Sequence, residues 1–231
     1  MTENKHKILT FSYDDGTTQD IRLVELFNKY GLKATFNLNS GKLGQERELL
    51  REGVTIRHDK VKAADVRHIY AGHEVAAHTL THPSLLKLTN DEVVREVEQD
   101  RLQLSELCGY EVVGFAYPGG HPNYDSRVAD AIRTNTGVRY CRTVLSSHSF
   151  APQENLYEFR PTVHHHAEWE NLFALGEQFL SLKTDTPAVF YVWGHAFEFD
   201  IHDTWSRFEE FLKMMAGKKD IAYLTNREAL L

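Results

Sequence analysis

The property that most narrows the fold is an alternation sustained along the whole chain. Short β-branched or aromatic runs are each followed by a longer stretch with helical spacing of apolar residues. The strand-like runs fall at 7–13, 34–39, 74–78, 112–117, 138–144, 157–163, 188–193 and 221–225. Amphipathic patterns occupy 18–30, 61–70, 90–107, 126–135, 168–182 and 205–215. The stretch 90–107 shows why such a pattern predicts a helix. Thr89 and Glu92 have capping-box spacing, Val93, Val94, Val97, Leu104 and Leu107 share an apolar face, and Gly109 suits the stop. Strands alternating with helices pack as parallel strands under covering helices, and the simplest closed form is a barrel. No repeat, linker or low-complexity tract breaks the pattern, and 231 residues suit one such α/β unit, so a single domain over 1–231 is expected.

Barrels of this kind place function on the loops after the C-terminal strand ends. Read at those positions, the sequence gives Asp14 and Asp15, Asn39 and Ser40, His78 and His82, Pro118 to His121, His164 to His166, and His195 with Glu198. Composition matters here because the chain holds 13 histidines against 26 Lys and Arg together. Histidine is both the commonest metal ligand and the usual proton carrier near neutral pH. Other classes are excluded quickly. A net charge of −7 without a basic stripe argues against nucleic acid as a partner. No apolar run approaches the roughly 18 residues of a membrane-spanning helix, and the polar N-terminus carries no export-signal core, so a soluble, cytoplasmic protein is expected. Cys108 and Cys141 are the only cysteines and read as ordinary buried thiols.

Asp14-Asp15-Gly16 closes the first strand-like run. Two adjacent carboxylates are costly unless a cation or positive neighbour offsets them, and Gly16 permits the backbone to turn both toward one centre. One would then be a metal ligand and the other a general base; the plainer alternative is a solvated Asp-Asp-Gly turn. His78-Thr79-Leu80-Thr81-His82-Pro83 follows another strand end, and i, i+4 spacing sets two imidazoles on one face of a turn. Alone, the pair could equally be surface or core histidines. With Asp15 it offers one oxygen and two nitrogens, leaving positions open as catalytic metal sites do.

Asp-Asp-Gly at a strand end, the later His-Thr-x-x-His, the Phe115–Gly120 segment with Tyr-Pro-Gly-Gly, and the late Gly194-His195 together resemble the polysaccharide deacetylase (NodB homology) family, carbohydrate esterase family 4. The segments 115–120 and 191–200 look most similar to the branch placed near gellan lyases. The resemblance implies a distorted (β/α) barrel of about seven parallel strands and one divalent metal ion. It implies Asp14 as the catalytic base, Asp15, His78 and His82 as metal ligands, and Thr79 as a loop-stabilising hydroxyl. Gly119, after Tyr117-Pro118, would supply an oxyanion-holding N–H, His195 the general acid, and Trp193 a wall of the acyl pocket. Zinc suits one Asp and two His best, with nickel, cobalt, iron and manganese open because occupancy follows availability as well as affinity. The implied partner is an acetylated carbohydrate, from which acetyl groups on N or O are hydrolysed.

The chain departs from that pattern in two places. The family's third motif begins with an arginine that pairs with the base, and Ala116 stands there. Arg160 is the expected replacement. The fourth motif is at best His165-His166-Ala167-Glu168-Trp169, with Glu168 either orienting His195 or starting a helix. His165, His166 and Glu198, with Tyr117, Pro118 and Trp193, are the expected substrate contacts, and loops such as 41–59 and 146–153 the expected source of specificity. Two other readings stand beside the deacetylase. One is hydrolysis of another non-peptide C–N bond on the same site. The other is a non-catalytic carbohydrate-binding module.

Overall fold

The structure is a computed structural model and describes residues 6–231. In chain order it contains β1 (Lys7–Asp14), α1 (Asp20–Lys29), β2 (Thr35–Leu38), β3 (Glu48–Arg51), β4 (Val54–Arg57), α2 (Val66–Ile69), β5 (Glu74–Ala77) and α3 (Asn90–Cys108). There follow β6 (Gly114–Ala116), α4 (Ser126–Asn135), β7 (Tyr140–Arg142), β8 (Val163–His164), α5 (Trp169–Ser181), β9 (Ala188–His195), α6 (Glu198–His202), α7 (Trp205–Met215), β10 (Ile221–Tyr223) and α8 (Asn226–Leu230).

The main sheet runs β7-β6-β5-β2-β1-β9-β8, with β10 on the first residues of β1, and its strand pairs are parallel. Beyond β7, a parallel bridge joins Arg142 to Phe159, and Phe159 exchanges backbone bonds with Cys141 and Thr143. That segment leads into β8, so the sheet curls round on itself. This is the parallel barrel expected from the alternation, in the distorted (β/α) form that the family resemblance implies.

Period-two alternation sorts β1 between two environments. Leu9, Phe11 and Tyr13 are fully buried against the helices, with the Phe11 ring 4.8 Å from Phe27 of α1. The other face, with Thr10, Ser12 and Asp14, looks into the barrel and is polar. At its floor the buried Glu74 accepts from the Thr35 hydroxyl (2.7 Å), the Tyr140 hydroxyl (3.0 Å) and the Arg227 N–H (2.8 Å). Three donors satisfy a carboxylate that would otherwise be costly to bury. The strand ends above that floor carry the site.

Helix α3 forms as its sequence predicts, with the capping box at Thr89 and Glu92 and Gly109 left-handed at φ 75°. Three elements differ. The run 157–163 yields a strand only at Val163–His164, because Leu156–Glu158 turns as a 3₁₀ segment and Pro161 has no N–H for a ladder. The pattern at 61–70 is a 3₁₀ turn plus the short α2. Within 41–59, β3 and β4 form an antiparallel hairpin outside the barrel sheet. Cys108 and Cys141 are buried free thiols. No helix of the described residues is long and apolar enough to cross a membrane.

Candidate active site

The end of β1 delivers both carboxylates to one place. Asp14 is the last strand residue, and Asp15 turns away with φ 81°, a left-handed conformation that costs a non-glycine residue on the order of 1–3 kcal/mol. Gly16 completes the turn at φ 60°, a conformation that favours glycine, and a Cβ there would crowd the Leu38 side chain at 2.7 Å. Beyond β5, Thr79 and His82 also take positive φ, 70° and 62°. The structure thereby brings the side chains of Asp15, His78 and His82 together, their ligand-type atoms all within 4.8 Å of one another. Asp15 Oδ1 lies 3.9 Å from His82 Nε2, compatible with two ligands each about 2.0–2.2 Å from a shared ion.

The ring chemistry fits a metal. His78 Nδ1–H donates to the Ala116 carbonyl at 2.8 Å, which leaves the Nε2 lone pair free for a ligand bond. Burial pushes the His78 imidazole down to about 4 and lowers His82 as well, so both are neutral at physiological pH. Burial opposes charge on Asp15, but His58 and Lys60 more than offset it and hold the carboxyl well below its usual range. Lys60 Nζ lies 3.3 Å from Asp15 Oδ1 and donates to its carbonyl at 2.6 Å. The trio is braced from outside by α3. Asp100 accepts the His78 N–H (2.8 Å) and the Ser40 N–H and hydroxyl (both 2.6 Å), while Glu96 accepts from Thr81. Asn39 Nδ2 holds the carbonyls of His78 and Thr79 at 2.6 and 2.9 Å.

Asp14 is buried and pairs with Arg142, whose guanidinium reaches both carboxylate oxygens; Asn37 Nδ2 adds a donor at 2.8 Å. Burial would raise this carboxyl, yet Arg142 and His78 bring it below its ordinary value, so Asp14 is ionised. Arg142 in turn lies over the Trp193 ring, 4.3 Å from its centroid. The expected Arg160 is exposed instead, its backbone bonded to Gln153. The register explains the exchange. Ala116 on β6 sits directly beside Arg142 on β7, so a guanidinium missing from one strand is supplied from its neighbour.

Across the rim, β9 ends at His195, in register with Asp14. Glu198, at the start of α6, accepts the His195 N–H at 3.0 Å and lies 3.4 Å from His195 Nδ1. Burial would lower the His195 imidazole, but Glu198, Asp14 and Asp15 raise it to about 9. Glu198 also faces His164 Nε2 (3.5 Å) and His165 Nε2 (3.4 Å). His164 Nδ1 accepts two backbone N–H groups, from His166 (3.1 Å) and Ala167 (3.0 Å). That places the neutral ring's proton on Nε2, pointing at Glu198.

The sequence profile described as Polysaccharide deacetylase matches residues 2–141, more than half of the chain. The chain belongs to the polysaccharide deacetylase family. No curated protein matches it by sequence. Among solved structures, the Xyl-CE4 domain of a multidomain xylanase from the hindgut metagenome of Trinervitermes trinervoides superposes with TM-score 0.60 at 16% identity, over 97% of this chain and 89% of that one. A family 4 carbohydrate esterase from Streptomyces lividans, in complex with acetate, gives 0.56 at 17% over 95% and 91%. A family 4 acetyl xylan esterase from Clostridium thermocellum, in complex with a cobalt ion, gives 0.52 at 16% over 96% and 90%. These likenesses establish the fold. The chain spans about half the length of other matches, 55% of the Streptococcus pyogenes deacetylase PplD and 44% of the Bacillus cereus polysaccharide deacetylase BC0361.

On this family scaffold, a cleft of about 400 Å³ is lined by Asp14, Asp15, His78, His82, Gly119, Trp193, His195 and Glu198. Other expected contacts lie elsewhere. Tyr117 is buried, its hydroxyl donating to the Tyr157 carbonyl, and neither it nor Pro118 lines the cleft. His165 is fully buried, stacked 4.3 Å from Phe199 and packed on Gly194, where a Cβ would lie 2.2 Å from the ring. His166 stacks on His202 and accepts from Trp169 Nε1. The histidine of that run that reaches the cleft is His164, because extended backbone alternates its faces and Val163-His164 is strand. Glu168 does not touch His195; it pairs with His148 and Ser146. The sequence reading also missed Arg47, Arg51 and His58, which the hairpin and its flanks bring to the cleft.

Proposed function

We propose that the chain is a metal-dependent deacetylase that hydrolyses an N- or O-acetyl group on a carbohydrate. The observation that carries this reading is the free Nε2 lone pair of His78 beside Asp15 and His82, with an ionised Asp14 and a cationic His195 on the adjoining strand ends. A divalent ion held by Asp15, His78 and His82 supplies Lewis-acid polarisation of a carbonyl and of water. Zinc is the proposed ion, with nickel, cobalt, iron or manganese as substitutes the ligand set accepts.

The chain's own groups do the rest. Asp14, kept ionised by Arg142 and oriented by Asn37, takes the proton of the attacking water. Gly119, which lines the same cleft, offers a backbone N–H to the oxyanion. His195, kept protonated by Glu198, hands its proton to the leaving amine or alkoxide as the C–N or C–O bond breaks, releasing acetate. Trp193 walls the acyl side and stacks on Arg142. The similarity of 115–120 and 191–200 to the branch near gellan lyases is part of the same proposal.

Acetate release from acetylated chito-oligosaccharides and acetylated xylan tests the reading. Activity is expected to vanish on chelation and return with metal. Asp14→Asn should lose about 10²–10⁴-fold in kcat while retaining its metal. Full turnover in stripped protein, or in the Asp14→Asn variant, would sink the mechanism.

A further inference from the structure

The hairpin of β3 and β4 lies outside the barrel sheet and forms one wall of the cleft. Side chains on a strand alternate, so Arg47, Leu49 and Arg51 share a face, and all three line the cleft. Leu50, on the other face, is 70% exposed. The wall therefore presents an apolar step between two arginines whose Cα atoms lie about 13 Å apart at about 3.3 Å per residue, with long side chains that both line the cleft.

The carboxylates of the cleft are already answered from below. Asp14 has Arg142, Asp15 has Lys60 and His58, and Glu198 has His195, His164 and His165. Arg47 donates Nε–H to His58 Nδ1 at 3.1 Å and has no ion pair among the described residues. Arg51 makes only long approaches, 3.8 Å to Glu198 and 3.9 Å to Glu52, and its side chain is 47% exposed. Two guanidinium forks are thus turned toward whatever fills the cleft, and that geometry matches planar carboxylate or phosphate oxygens.

We infer that the substrate is an anionic acetylated sugar, whose carboxylate or phosphate is held by Arg51 and Arg47 while the acetyl group lies at the Asp14–His195 centre. The inference rests on the deacetylase reading and adds a charge requirement to it.

The test compares acetate release from three probes: O-acetylated oligogalacturonides, N-acetylglucosamine 6-phosphate, and neutral acetylated xylo-oligosaccharides. The metal-loaded protein should prefer at least one anionic probe in kcat/KM, and which one identifies carboxylate or phosphate. Arg51→Gln should lower the anionic-to-neutral ratio of kcat/KM by about tenfold to a hundredfold, the range of charge-assisted hydrogen bonds. Rising salt should lower the same ratio in the parent protein. An equal rate on neutral probes, with a ratio indifferent to Arg51→Gln and to salt, overturns the inference and leaves the deacetylase reading standing. No acetate from any probe in metal-loaded protein overturns the deacetylase reading instead.

Discussion

The two histidine–carboxylate clusters on the barrel rim are made of the same residue types and differ in which ring nitrogen the backbone holds. At Asp15, His78 and His82, a carbonyl takes the proton of His78 Nδ1 and leaves Nε2 as a lone pair. At His164, His195 and Glu198, two backbone N–H groups occupy His164 Nδ1 and put the proton on Nε2. The first arrangement is suited to a cation with open positions. The second aims donors at a carboxylate and suits storing a proton on His195. Spacing of ligand atoms alone does not separate the two, since both gather within 4.8 Å. The tautomer does.

The strongest way to break this comparison is to remove one member of each cluster and count metal. Asp15→Asn or His82→Ala should abolish stoichiometric metal and cost about a thousandfold in acetate release, the order of several kcal/mol of Lewis-acid stabilisation. His164→Gln should keep its full metal content. If elemental analysis finds His164→Gln as depleted as His82→Ala, the clusters share one ion and the distinction fails.

A smaller effect sharpens the proton side. Without Glu198, burial of His195 is opposed only by Asp14 and Asp15, so its imidazole falls from about 9. The proposed acid must be protonated to act, so activity is lost as pH rises through its pKa. Glu198→Gln should therefore move the alkaline limb of kcat to lower pH and cost about a hundredfold near neutrality. An unmoved alkaline limb would show that Glu198 does not set the charge of His195.

The two clusters were also unequally legible in the sequence. Asp14-Asp15-Gly16 and His78-Thr79-Leu80-Thr81-His82 are local motifs, where spacing and a glycine announce the geometry. The strand-helix alternation gave the barrel for the same reason, because period-two and helical patterns are local. What stayed hidden depends on register between strands distant in sequence. Arg142 answers Asp14 only because β7 sets it beside Ala116, and no spacing within one segment encodes that pairing. Glu198 was visible as a rim residue, but its place under His195 follows from the turn into α6 rather than from the motif at 165–169. His164 rather than His165 or His166 reaches the cleft because β8 ends at His164 and the chain turns directly after it. The hairpin at 48–57 stayed hidden because its two four-residue strands are short and bury none of their residues, so they carry no alternation toward the core.

The smallest predicted effect concerns how each cluster is held. The first is braced by a separate helix through Asp100, a buried carboxyl that burial pushes up to about 7 and that accepts three bonds from Ser40 and His78. The second is held by its own loop backbone. Asp100→Asn keeps the shape but turns an amide NH₂ toward groups that also donate. Metal affinity should then weaken about tenfold, at the low end for an outer support, because Asn39 still grips the His78 and Thr79 carbonyls. The alkaline limb governed by His195 should not move, since no contact joins Asp100 to Glu198 among the described residues. Metal titration beside a pH–rate profile of the same variant separates the two readouts. A shift of both would mean that the rim responds as one unit, and that the division between metal side and proton side is finer than the protein makes it.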